Sequence, residues 1–168
     1  MIALELQREL KKEIQCLTSH MRFKTPKGED VCLNVFEQNL PMRIHDRRRF
    51  SEEDEEEEEI VEHFPYCIVK LDSGASSSAE SAHLIKLILL VGIYDSSMLT
   101  DGYKHILNIF EDVRARFRKN PVLANRFVAG EEISWALADE DDETFPYFFG
   151  AMYMEWMTAE FRREDEFA

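Results

Sequence analysis

The sequence predicts an α+β domain: a largely antiparallel sheet with two main helices packed on one face, in the order α–β–β–α–β–β. Three observations carry this. Residues 2–22 and 103–119 repeat apolar side chains every three or four positions, the period of a helix with one buried face. Residues 64–71, 84–94 and 147–161 are rich in β-branched, aliphatic and aromatic side chains and read as strands. Turn-forming clusters, among them Asp72–Ser73–Gly74 and Asn120–Pro121, separate these stretches. At 168 residues the chain is expected to be one domain, 1–168.

In the first helix Leu6, Leu10, Ile14, Leu17 and Met21 form one stripe, and Thr25–Pro26–Lys27–Gly28 supplies the turn beyond it. Val31, Leu33 and Val35 alternate with Cys32 and Asn34, which reads as a short strand or extended segment before Leu40–Pro41 interrupts it. The strand at 64–71 should pair antiparallel with the next, across a flexible link containing Ser76–Ser77–Ser78. In the second helix Tyr103, Ile106, Leu107, Phe110, Val113 and Phe117 form the stripe. Thr100 or Asp101 is the expected N-cap, and Arg114, Arg116, Arg118 and Lys119 suit the negative end of the helix dipole. Residues 125–128 and 133–137 read as two short strands around the turn Ala129–Gly130.

The two longest strand stretches decide the functional reading. In 84–94 one face carries Ile85, Leu87, Leu89, Val91 and Ile93, and the other Leu84, Lys86, Ile88, Leu90, Gly92 and Tyr94. In 147–161 Phe148, Met152, Met154 and Trp156 oppose Tyr147, Phe149, Ala151, Tyr153, Glu155 and Met157. Both faces are largely apolar, and two helices cover only one. The candidate interaction residues are therefore Leu84, Lys86, Ile88, Leu90, Tyr94, Tyr147, Phe149, Tyr153, Glu155 and Met157, since large exposed apolar patches mark contact sites. The rival reading is that N-terminal segments fold over this face.

The formal net charge is −14, and over half of it lies in Glu52–Glu59, where all eight residues are acidic. Residues 47–62 are expected to form an acidic, flexible loop within the domain, because like charges in a block repel one another. So acidic a chain is a poor match for a phosphate backbone, and no direct nucleic-acid binding is expected. Arg47–Arg48–Arg49 reads as local neutralisation beside the run. Cys16, Cys32 and Cys67 are odd in number and widely spaced, which fits reduced cysteines in a cytoplasmic setting. The start, Met1–Ile2–Ala3–Leu4–Glu5, lacks the apolar core of a secretory signal, and no stretch is long enough to span a membrane.

Catalytic patterns are absent from the sequence. His20, His45, His63, His83 and His105 form no HExxH pattern, and there is no GxSxG, GxGxxG or GxxxxGK[ST]. Asp95, Asp101 and the block Asp139–Glu143 could supply carboxylates to a divalent ion, but turn chemistry explains them more simply. Gly92 and Gly150 read as places of close backbone approach. No enzyme activity, cofactor or metal is expected.

Five stretches, in order, carry a resemblance: Phe64 to Leu71 (FPYCIVKL), Val91–Gly92–Ile93–Tyr94–Asp95, Asp101–Gly102–Tyr103, Asn120–Pro121–Val122–Leu123 and Phe145–Pro146–Tyr147–Phe148–Phe149–Gly150. Over about residues 60–165 the chain resembles small phage or prophage structural proteins of Gram-positive hosts, the tail-terminator or tail-completion proteins of long-tailed phages. The resemblance implies a mixed α/β subunit without catalytic residues. It also implies a homo-oligomeric ring, commonly six copies, that caps the tail tube and docks to the head. Its expected partners are further copies of itself, tail-tube proteins and head-completion proteins. Its expected places are the host bacterial cytoplasm during assembly and then the virion tail, with no membrane involved. The alternatives are an acidic binding module, as a DNA mimic or sequestering protein, and, further off, a carboxylate-metal enzyme.

Overall fold

Alternation along His83–Tyr94 puts Ile85, Leu87, Leu89, Val91 and Ile93 in the core, as a strand covered on one face requires. The computed structural model describes residues 1–41, 63–76, 83–138 and 144–158. In chain order these form helix α1 (Ile2–Leu17), strands β1 (Phe23–Lys24), β2 (Asp30–Val31), β3 (Asn34–Glu37), β4 (Tyr66–Ala75) and β5 (His83–Tyr94), helix α2 (Tyr103–Lys119), and strands β6 (Val122–Leu123), β7 (Phe127–Leu137) and β8 (Tyr147–Thr158). The expected loop 47–62, the block Asp139–Glu143 and the end of the expected last strand, 159–161, lie outside the described residues.

The class is mixed α+β, with two helices beside a sheet, but two finer expectations are corrected. The sheet is mixed, in the order β3-β4-β5-β8-β7-β6, because β3 runs parallel to β4 with Asn34 opposite Tyr66 and Glu37 opposite Val69. A parallel pair needs a long connection, and residues 38–65 supply it. The simple order α–β–β–α–β–β also fails, since β1 and β2 form a separate two-stranded sheet and β3 and β6 add outer strands.

Both helices contribute to one core. Leu6, Leu10 and Ile14 of α1 and Ile106, Ile109, Phe110, Val113 and Phe117 of α2 are buried with the inward residues of β4, β5 and β8. Ile109 was not on the predicted stripe, whereas Leu107, which was, is only half-buried. Gly150 lets α2 approach the sheet: a Cβ there would meet Ile106 Cγ2 at 2.7 Å. Arg116 of α2 donates to Glu13 of α1 over 2.5 Å, and Arg126 reaches Glu5, so ion pairs tie the two halves of the chain. Gln7, a buried polar residue of α1, donates to Val69 O at 2.8 Å and to Gln38 Oε1 at 3.0 Å, fastening the helix to the β3–β4 edge.

Several predicted boundaries move for local reasons. The first helix ends at Leu17 and not at 22, where Thr18 Oγ1 donates to Ile14 O and Ser19 Oγ to Cys16 O. The N-cap of α2 is Gly102, without a side-chain cap; Asp101 pairs instead with Lys104 Nζ at 3.6 Å. β4 continues past Asp72–Ser73–Gly74 to Ala75 by absorbing a bulge between Leu71 and Ser73. The two strands expected around Ala129–Gly130 are a single strand, β7, with a bulge between Ala129 and Ile133.

Candidate interaction face

The register of β5 on β8 settles the side on which each candidate stands. Leu84 pairs with Met157, Lys86 with Glu155, Ile88 with Tyr153, Leu90 with Ala151, Gly92 with Phe149 and Tyr94 with Tyr147. Cross-strand partners share a face, so all ten candidates lie on the face opposite the buried core residues.

That face divides into an upper and a lower half. The upper half is covered by the chain itself. Phe64, Tyr66 and Ile68 are buried there, and Phe36, Leu40, Leu90, Tyr94, Tyr147 and Phe149 pack on them. The Phe64 ring lies 4.9 Å from Tyr66, 4.8 Å from Tyr147 and 5.8 Å from Phe149, in tilted or edge contacts that aromatic rings favour. Gly92 makes room for Tyr66, since a Cβ there would sit 2.5 Å from the ring. The rival reading thus holds for Leu90, Tyr94, Tyr147 and Phe149, but the covering segment is the one leading into β4, together with Phe36 and Leu40.

The lower half is arranged in three cross-strand rows, each read from β4 through β5 and β8 to β7. The first is Lys70, Ile88, Tyr153 and Ser134. The second is Ser73, Lys86 and Glu155, ending at the β7 bulge. The third is Ala75, Leu84, Met157 and Val128. Among the described residues Tyr153 remains 46 % exposed and Met157 42 %. A shallow pocket of about 220 Å³ is lined by Asp72, Lys86, Ile88, Glu132, Ser134, Tyr153 and Glu155 among others. At its centre Lys86 Nζ lies 3.6 Å from Glu155 Oε1. Lys70, Asp72, Val128, Glu132 and Ser134 belong to this surface and were missed; alternation along β4 pointed to Lys70, but the others lie where the sequence reads as turns or short separate strands, at Asp72–Ser73–Gly74 and around Ala129–Gly130.

A second apolar feature stands at the other end of the same strands. The loop after β5 presents Met98, 91 % exposed, and Leu99, 77 % exposed. Asp95 Oδ1 accepts from Ser97 N–H at 2.8 Å and Ser97 Oγ from Leu99 N–H at 3.3 Å, so local bonds hold the loop in shape.

Of the carboxylates weighed as metal ligands, Asp95 and Asp101 have other partners, and the block Asp139–Glu143 lies outside the described residues. Asp95 Oδ2 lies 3.3 Å from His105 Nε2, and Asp101 faces Lys104. Among the described residues no group of three or more His, Cys, Asp or Glu is placed to hold a metal ion. Among them also, no helix is long and apolar enough to cross a membrane. Cys16 and Cys32 are exposed, and burial pushes the Cys67 thiol up to about 12. Searches against protein-family models and curated proteins find no match to the chain.

Proposed function

We propose that the chain is a structural assembly subunit of the tail-terminator kind that its segments resemble. In this reading copies form a ring, commonly of six, that caps a phage tail tube and docks to the head. The observation that supports it is the apolar surface left on the folded subunit: the lower half of the sheet face and the Met98–Leu99 tip, at opposite ends of β5. Large exposed apolar side chains gathered in this way mark contact sites. A ring requires unlike surfaces that meet head to tail and close, so a subunit needs more than one. The chemistry proposed is association alone, with no reaction, cofactor or metal. The setting is the host cytoplasm during assembly and the virion tail afterwards.

The test uses polymerising tail-tube subunits encoded near the same gene. Added protein should arrest tube growth and appear by electron microscopy as a ring on one tube end. Unchanged elongation, with the protein monomeric at every salt and protein concentration, would overturn the reading. The acidic-module alternative rests on the net charge of −14, but eight of the carboxylates behind it sit consecutively in Glu52–Glu59, outside the described residues, and nothing in the described surface favours it.

A further inference from the structure

We infer that the lower half of the sheet face pairs with the same face of a second copy, about a two-fold axis running along the strands between β5 and β8. The charge pattern selects both the occupant and the axis. Across the sheet Lys70 and Lys86 stand on the β4–β5 side, while Glu155 and Glu132 stand on the β8–β7 side. Rotation about a strand-directed axis lays the first side of one copy over the second side of the other. Lys86 then faces Glu155 of the second copy, and Glu155 faces its Lys86. An axis across the strands through this row would instead set Lys86 over Lys86 and Glu155 over Glu155, which like-charge repulsion disfavours.

The apolar rows obey the same operator. Ile88 comes over Tyr153 of the second copy, and Leu84 over its Met157, so apolar side chains meet above and below the charged row. Facing sheets pack with nearly aligned strands about 10 Å apart, the spacing that such interdigitating side chains fill. An isologous contact of this kind needs a self-complementary patch, which these rows supply.

The contact is small. Four strands and three rows span roughly 400 Å² per copy, about 800 Å² in all. Stable interfaces bury roughly 1,200–2,000 Å². Asp72 and Glu132 at the outer margins are also brought together by the rotation, with Lys70 beside Asp72 to offset them. The pair is therefore weak and forms at high protein concentration. The pairing goes beyond the tail-terminator reading and concerns the free subunit: a self-matching face joins two subunits and cannot close a ring, so this weak pair opens before the same face serves as one of a ring's contacts.

Charge reversal tests the inference. Lys86→Glu makes the central pair wholly negative, and Glu155→Lys makes it wholly positive. Each variant alone should sediment as a monomer where the native chain shows weak association. Mixed in equal amounts, they should associate about tenfold or more tightly than either alone. The double variant Lys86→Glu/Glu155→Lys should regain the native behaviour. A role confined to the ion pair within one subunit would restore the double variant but leave the mixture monomeric, and that result overturns the inference. Native-like association of either single variant also overturns it, since another surface would then be doing the joining. Circular dichroism of each variant confirms folding, and tube capping is a separate readout that neither result decides.

Discussion

Gln38 takes two hydrogen bonds on one side-chain oxygen, from Gln7 Nε2 at 3.0 Å and from the Leu71 backbone N–H at 3.0 Å. Its Nε2 donates in turn to Leu71 O at 3.2 Å. One amide thus stands in for a strand partner at the β4 edge and holds α1 to it. Gln7→Leu keeps most of the bulk but removes both donors from this buried network. It should lower stability by about 1–3 kcal/mol, the cost of leaving buried polar groups short of partners. Urea unfolding of the variant checks this; a loss below about 0.5 kcal/mol would mean that water replaces the bonds.

Cys67 gives a pH signature. Burial raises its thiol from the ordinary 9.0 to about 12. Below pH 9 the folded and unfolded chains both keep the proton. Between 9 and about 12 the unfolded chain releases it first, so stability falls as pH rises, on the order of 1 kcal/mol per unit at most. Burial also raises the Tyr66 phenol, which acts in the same direction. Cys67→Ala is expected to cost stability at pH 8 but to lose less between pH 8 and 11 than the native chain. Thiol titration of the native protein should show Cys16 and Cys32 reacting quickly and Cys67 only on unfolding.

Gly92→Ala should destabilise the protein by about 1–3 kcal/mol, because its methyl group would overlap the Tyr66 ring in a packed cluster. The same substitution made in a Tyr66→Ala background should cost much less. Such non-additivity identifies the contact as the cause, whereas additive losses would point to backbone conformation.

Replacing Glu52–Glu59 with a short Gly/Ser linker should leave the melting temperature nearly unchanged or slightly raised. The chain leaves β3 opposite Val69 and enters β4 at Tyr66, a return of about 10 Å along the strand and about 5 Å sideways. The rest of residues 38–65 spans that easily, and removing adjacent carboxylates removes repulsion. A fall of several degrees would show that the run does more for the fold than connect two strands.

What could be read from the sequence followed from local periodicity. The period of two along 84–94 and 147–161 grouped the ten candidates on one face, and the register of β5 on β8 places them together opposite the core. Periodicity also misled: Met21 continued the α1 stripe, yet Thr18 and Ser19 turn their hydroxyls back on the helix and end it. The parallel β3–β4 pair was illegible because its partners are joined only through residues 38–65, and nothing local specifies their register. For the same reason the sequence offered a cover over Tyr147 and Phe149 only in general terms, without the segment that makes it. Phe64 looked like the first residue of a strand, but it precedes β4 and lies across the sheet.

The position of β5 between β4 and β8 also has a consequence during synthesis. β4 is already made when β5 leaves the ribosome, and the two can zip together at once. β8 follows only after residues 95–146, roughly 3–10 s later at ordinary translation rates. For that interval the nascent chain carries a long apolar strand whose second edge has its amides and carbonyls unpaired, the state most open to aggregation. Lys86 is the one charged side chain inside the run from Leu84 to Tyr94, and it serves there as a gatekeeper. Lys86→Ile should therefore divert much of the newly made protein into inclusion bodies, while the fraction that folds melts close to the native temperature.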